Sequence, residues 1–112
     1  MNEDKTMLSI YLAGFLDGRG GFFIHKDKRG SQQFIVKVAS NDNATLNLFD
    51  RILTHLNIKH MRTKKEVGIT SREDVKQFIG FILPFIQIKE DEIIDFRNRL
   101  FEYELSFIKK KS

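Results

Sequence analysis

Residues 11–22 read Tyr11–Leu12–Ala13–Gly14–Phe15–Leu16–Asp17–Gly18–Arg19–Gly20–Gly21–Phe22, and the architecture turns on this run. Leu8, Tyr11, Leu12, Phe15 and Leu16 recur at helical spacing, which predicts a helix over Met7–Asp17. Ala13 and Gly14 leave a flat spot on it, where another backbone can approach closely. Gly18, Gly20 and Gly21 end the helix and lead into an extended segment.

Working outward, residues 22–29 alternate as a strand, and Lys28–Arg29–Gly30–Ser31 is a turn. Residues 32–39 return with Phe34, Val36 and Val38 on one face and Gln33, Ile35 and Lys37 on the other. Ser40–Asn41–Asp42–Asn43 is rich in capping residues, and a helix follows to Leu56 with Leu48, Phe49, Ile52, Leu53 and Leu56 as its buried stripe. A weaker hairpin is expected at about Ile58–Lys64 and Val67–Thr70. Ser71 is the expected cap of a third helix through Leu83, with Val75, Phe78, Ile79 and Ile82 inward. Pro84 breaks it, and a last helix runs from about Glu90 to Ile108 before Lys109–Lys110–Lys111. Two hairpins with helices between them predict an α+β domain, an antiparallel sheet with helices on one face.

Composition agrees with a single domain spanning residues 1–112. Hydrophobic residues make up 41% and charged residues 30%, a globular balance. Eleven Phe and no Trp favour a dense apolar core. A chain this short buries only about 65% of its unfolded surface and gains from a partner. Without cysteine it has neither disulfides nor thiolate metal sites, which suits an intracellular, reducing setting. No stretch approaches the roughly 20 apolar residues of a membrane span, and the polar N-terminus is no secretory signal. The net charge of +4 fits a nucleic-acid partner or simply a basic surface. His25, His55 and His60 lack metal-site spacing.

The run from Tyr11 to Phe22 resembles the LAGLIDADG motif of the homing endonucleases. The αββαββα order resembles the same family, as does Leu83–Pro84–Phe85–Ile86–Gln87–Ile88–Lys89, a proline-phenylalanine turn leading to a lysine. The resemblance implies a saddle-shaped four-stranded antiparallel sheet packed on helices. It also implies a homodimer with Leu12, Ala13, Gly14 and Phe15 at the interface, double-stranded DNA as partner and Mg²⁺ as cofactor. On the bland reading, Ala13–Gly14 simply packs on its own sheet.

One position departs from the pattern. The family's metal-binding acid corresponds to Arg19, which has no acceptor atom for Mg²⁺. Asp17 is then a displaced metal ligand or a helix-end acid bonded to nearby amides. Lys89 matches the family's active-site lysine, or is an ordinary solvated lysine at a helix start. Ser40 or Asn41 positions water, or caps a helix. Strand alternation assigns Phe23, His25, Asp27, Arg29, Gln33, Ile35 and Lys37 to the face away from the helices, joined by His60, Arg62, Lys64 and Glu66 from the second hairpin. Such a sheet face suits the major groove. The expectation is therefore sequence-specific binding of duplex DNA with cleavage impaired by Arg19. The alternatives are an active endonuclease with an altered metal site and an RNA-binding splicing helper.

Overall fold

The computed structural model describes residues 8–10, 12–14 and 20–111, the last three by backbone alone. Residues 8–10 and 12–14 are helical (α1). They are followed by β1 (Gly20–Lys26), β2 (Gln32–Ala39), α2 (Asn43–His55), β3 (Met61–Arg62), β4 (Glu66–Ile69), α3 (Arg72–Ile82) and α4 (Glu90–Lys111). The four strands form one antiparallel sheet in the order β1-β2-β4-β3. The α+β class and the element order are as the sequence predicts.

The core lies between this sheet and the helices. Phe34, Val36, Val38, Val67 and Ile69 are buried on the covered face. Against them pack Leu46, Phe49, Ile52 and Leu53 of α2, Val75, Phe78, Ile79 and Ile82 of α3, and Ile93, Phe96 and Leu100 of α4. The phenylalanines interlock: the Phe96 ring centroid lies 5.3 Å from that of Phe22 and 5.5 Å from that of Phe34, and Phe49 meets Phe78 at 6.2 Å. Burying one such ring contributes about 1.5–3 kcal/mol.

The α2 stripe begins differently from the expectation. Leu46 is buried, whereas Leu48 is 39% exposed. The cap of α2 is Asp42, whose carboxylate accepts from Ala44 N at 3.0 Å and from the Thr45 hydroxyl at 2.9 Å. At its other end Asn57 takes a left-handed φ of 60°, and Ile58 N donates to Leu53 O at 3.0 Å. That closure places buried Ile58 against buried Leu53, as the Schellman arrangement requires. Because the cap consumes residues 57–58, the third strand is only Met61–Arg62, not the seven residues expected. Ser71 sits at the N-cap of α3 but makes no side-chain cap bond.

α4 runs back along β1. Lys89, just before its start, donates from Nζ to the Gly20 carbonyl where β1 begins. Near its far end the Tyr103 hydroxyl accepts from Gln32 N at 3.1 Å, at the start of β2. Charge fixes α3 to α4: Lys76 Nζ lies 2.9 Å from Glu73 and 3.1 Å from Glu104, and Arg72 covers the rings of Tyr103 and Phe107.

Candidate nucleic-acid interface

The uncovered sheet face follows from register, because directly opposed residues of antiparallel strands project to the same side. Phe23 opposes Ile35, and His25 opposes Gln33. Gly21, Lys37, Gly68 and Met61 form one row across all four strands. Glu66 opposes Ala39 at the end of the sheet. The open face thus carries Phe23, His25, Gln33, Ile35, Lys37, Glu66 and Met61.

The face is partly organised within itself. Phe23 folds over Gly21, where a Cβ would stand only 2.6 Å from the ring, so the glycine makes room for the aromatic. Lys37 Nζ lies 5.0 Å from the Phe23 ring centroid and 3.7 Å from Glu66. The Phe23 ring remains 41% exposed. The result is a surface with an apolar patch, an amide at Gln33, an imidazole at His25 and a cation held above an aromatic ring. Those groups match thymine methyls and the hydrogen-bonding edges of the major groove.

Other predicted residues lie elsewhere. Asp27 and Arg29 are not on strand one, which stops at Lys26; they belong to the turn. Asp27 Oδ1 accepts from Arg29 N at 2.8 Å and Ser31 N at 2.9 Å, and Gly30 takes a φ of 85°. A glycine in that conformation closes the hairpin.

The second hairpin has the opposite phase on β3. Arg62 opposes buried Val67, so it projects to the helix side. Its Nη2 donates to Asn47 Oδ1 of α2 at 2.9 Å, while Nη1 is buried without a partner. His60 also turns to α2: Nδ1 donates to the Ile58 carbonyl at 2.8 Å, and Nε2 meets Asp50 Oδ1. Lys64 is exposed in the β3–β4 turn. Met61, 63% exposed, holds the open-face position that Arg62 was expected to hold. β3's own two residues carry no signal for this, because its phase is set by pairing with Val67 and Gly68 of β4.

At the sheet end where β1 begins, the structure brings together Gly20, Lys89 and the close of β2. Ser40 N donates to Lys65 O at 2.9 Å, and Ser40 Oγ accepts from Asp42 N at 3.0 Å, while Asn41 is exposed. In α1, Leu12 and Ala13 are wholly buried within the chain, so neither is presented on the surface as the resemblance implies. Gly14 is exposed, as is Ile10 at 48%. Phe15, Asp17 and Arg19 lie outside the described residues. Among the described residues no group of three acidic, histidine or cysteine side chains could hold a metal ion. The side chains around the motif also fit Mg²⁺ poorly: that of Arg19 carries no oxygen, and the Lys89 ammonium meets the neighbouring Gly20 carbonyl. No helix among the described residues is long and apolar enough to cross a membrane.

The architecture is that of the LAGLIDADG homing endonucleases. The homing endonuclease I-TnaI matches at TM-score 0.70 and 16% identity, over 86% of this chain and 72% of that one. The meganuclease I-SmaMI, bound to uncleavable DNA, matches at 0.71 and 15%, over 88% of this chain and 37% of that one. The homing endonuclease I-CvuI, in complex with its target in the presence of calcium, matches at 0.66 and 14%, over 80% and 63%. This chain is thus much shorter than I-SmaMI and covers less than two thirds of I-CvuI. No protein-family model matches the sequence, and no curated protein does.

Proposed function

We propose that this protein binds double-stranded DNA sequence-specifically as a homodimer, through the open sheet face, and cuts it slowly or not at all. The observation that carries the reading is the open face itself: Phe23, His25, Gln33, Ile35 and Lys37 stand in facing pairs or rows on one side of a sheet whose other side is buried. Solved structures of the same fold include several bound to DNA. Dimerisation is supported by exposed Gly14, around which no described atom lies within 4 Å of a built Cβ. I-SmaMI adds to this, because this chain spans only 37% of it, leaving length there for a second such unit. Impaired cleavage rests on Arg19, since both copies in a symmetric dimer would lack the acid. The lack of cysteine suits an intracellular site of action.

The test is a gel shift against a pool of long duplexes and a matched RNA, with and without Mg²⁺. We expect retention of duplex, steeply salt-dependent, with a restricted set of sequences recovered. Gln33→Ala or His25→Ala should relax preference at one position per half-site by about 1–3 kcal/mol. Preference for the RNA would favour a splicing role, and brisk Mg²⁺-dependent cutting would restore the nuclease reading.

A further inference from the structure

Phe23 stands 41% exposed on the open face, and its neighbours fix where the ring lies. Gly21, two residues earlier on the same face, leaves the space that the ring enters: a Cβ there would stand 2.6 Å from Cε2 and 2.7 Å from Cζ. Lys37, directly opposite Gly21, places Nζ 5.0 Å from the ring centroid, and Glu66 meets the same ammonium at 3.7 Å. Lys37 is thereby engaged twice within the face, by a ring and by a carboxylate. Half-buried Ile35 opposes Phe23 across the β1–β2 pair, so the two side chains form one apolar spot. A side chain held in place before binding loses less freedom when it binds.

What such a spot can meet in the major groove is narrow. Purine edges, and the amino and carbonyl groups of pyrimidines, are donors and acceptors. Laying one of them against Phe23 and Ile35 would strip its water without offering a partner. The apolar feature of the groove is the C5-methyl group of thymine. Cytosine carries only hydrogen at that carbon, and 5-methylcytosine carries the same methyl as thymine. The spot therefore selects for the methyl and not for the hydrogen-bonding pattern of the base.

We infer that Phe23 and Ile35 read the C5-methyl group of one pyrimidine per half-site, and that Gly21, Lys37 and Glu66 are positioning residues that hold the ring for it. The protein then treats 5-methylcytosine as it treats thymine at that position, and rejects cytosine there. The inference rests on the proposed DNA-binding reading and names the chemical group recognised at one place on that face.

The experiment recovers the preferred duplex from a randomised pool with wild-type protein, then measures its affinity with each thymine in turn replaced by uracil. At one position per half-site the exchange should weaken binding about fourfold, and about 15-fold when made in both half-sites, the loss of one buried methyl each. With that pair changed to cytosine and guanine, methylating the cytosine in both half-sites should restore a similar factor of about 15. Phe23→Ala should bring both ratios close to one. Gly21→Ala, whose Cβ would displace the far end of the ring, and Glu66→Gln, which releases Lys37, should shrink the ratios although Phe23 is still present. Ile35→Ala, on the neighbouring strand, should shrink them likewise and keeps the test valid if Phe23→Ala folds poorly. Each ratio compares two duplexes on one variant, so a general loss of stability or of phosphate contact leaves it unmoved. Wild-type ratios of one at every thymine overturn the assignment, as do ratios that survive both Phe23→Ala and Ile35→Ala. So does 5-methylcytosine that binds no more tightly than cytosine. Ratios left intact by both Gly21→Ala and Glu66→Gln overturn the positioning roles. A wild-type protein that fails to bind duplex refutes the functional reading itself.

Discussion

Replacing Gly14 with leucine separates the two roles that a small residue on α1 can play. Inside the protomer the change is tolerated: Gly14 is exposed, and no described atom lies within 4 Å of an added Cβ. Glycine in a helix costs about 0.8–1 kcal/mol relative to alanine, and leucine very little, so the isolated protomer should gain about 0.5–1 kcal/mol. At a two-fold interface the same side chain enters twice. Overpacking costs about 1–3 kcal/mol per site, hence about 2–6 kcal/mol for a symmetric pair. At 1.4 kcal/mol per decade, the dimer should weaken at least about 30-fold. Sedimentation across the micromolar range, with thermal melts of both forms, reads the two effects separately. The expected pattern is a wild-type dimer and a Gly14→Leu monomer that is folded. An undiminished dimer in the variant, or a wild type that is monomeric throughout, refutes the reasoning. Collapse of the fold in Gly14→Leu would instead show that the space around Gly14 is filled.

Arg19→Glu restores an oxygen ligand at the family's acid position and removes about two units of positive charge per chain, so metal-independent DNA affinity should fall while Mg²⁺-dependent cleavage appears in a strand-cleavage assay. Phe34→Ala, at the centre of the Phe22–Phe96–Tyr103 packing, should destabilise the fold by about 3–5 kcal/mol in chemical denaturation. The pKa of Lys76 is raised above its usual 10.5 by the hydrogen bonds its ammonium donates to Glu73 and then to Glu104. The folded state holds that proton more tightly than the unfolded chain, so the contribution is fully present below pH 10.5 and is lost as pH rises through the higher folded value. The gap in melting temperature between wild type and Lys76→Met should therefore stay constant through neutral pH and close only under strongly alkaline conditions.

What the sequence discloses depends on how much burial constrains each segment. β2 is read correctly because Phe34, Val36 and Val38 form three alternate buried positions, and a slip of one residue would expose all of them. β3 has no such anchor. It is two residues long and at the sheet edge, so its phase is set by the register with Val67 and Gly68 on β4, a pairing that lies outside its own sequence. That is why strand alternation alone puts Arg62 and His60 on the open face and leaves Met61 out of it. The turn residues Asp27 and Arg29 stand off the open face for a related reason: a carboxylate accepting from two amides ends a strand, and alternation alone does not register it. The motif helix shows the limit in its sharpest form. Ala13 and Gly14 are adjacent and both small, yet one is wholly buried and the other exposed, a distinction set by which face of α1 meets the core.

The proposed separation of binding from cleavage turns on the charges that the sequence brings to the start of β1. On the proposed reading, Lys89 at the Gly20 carbonyl and Arg19, one residue earlier in the sequence, would supply cations where the family resemblance implies a divalent metal. Both arrangements neutralise phosphate, but they differ in what they do for the reaction. A metal can lower the pKa of a bound water and stabilise the charge that develops on the attacked and leaving oxygens. A guanidinium cannot activate water in that way, and it attracts the ground-state phosphate much as it attracts the transition state. Interactions that bind both states equally tighten the complex without raising the rate of the chemical step. On the proposed reading, an arginine in place of the acid would therefore do more than delete a ligand. It would move the site toward retention of intact DNA, the behaviour expected of a protein that uses a nuclease fold to hold its target.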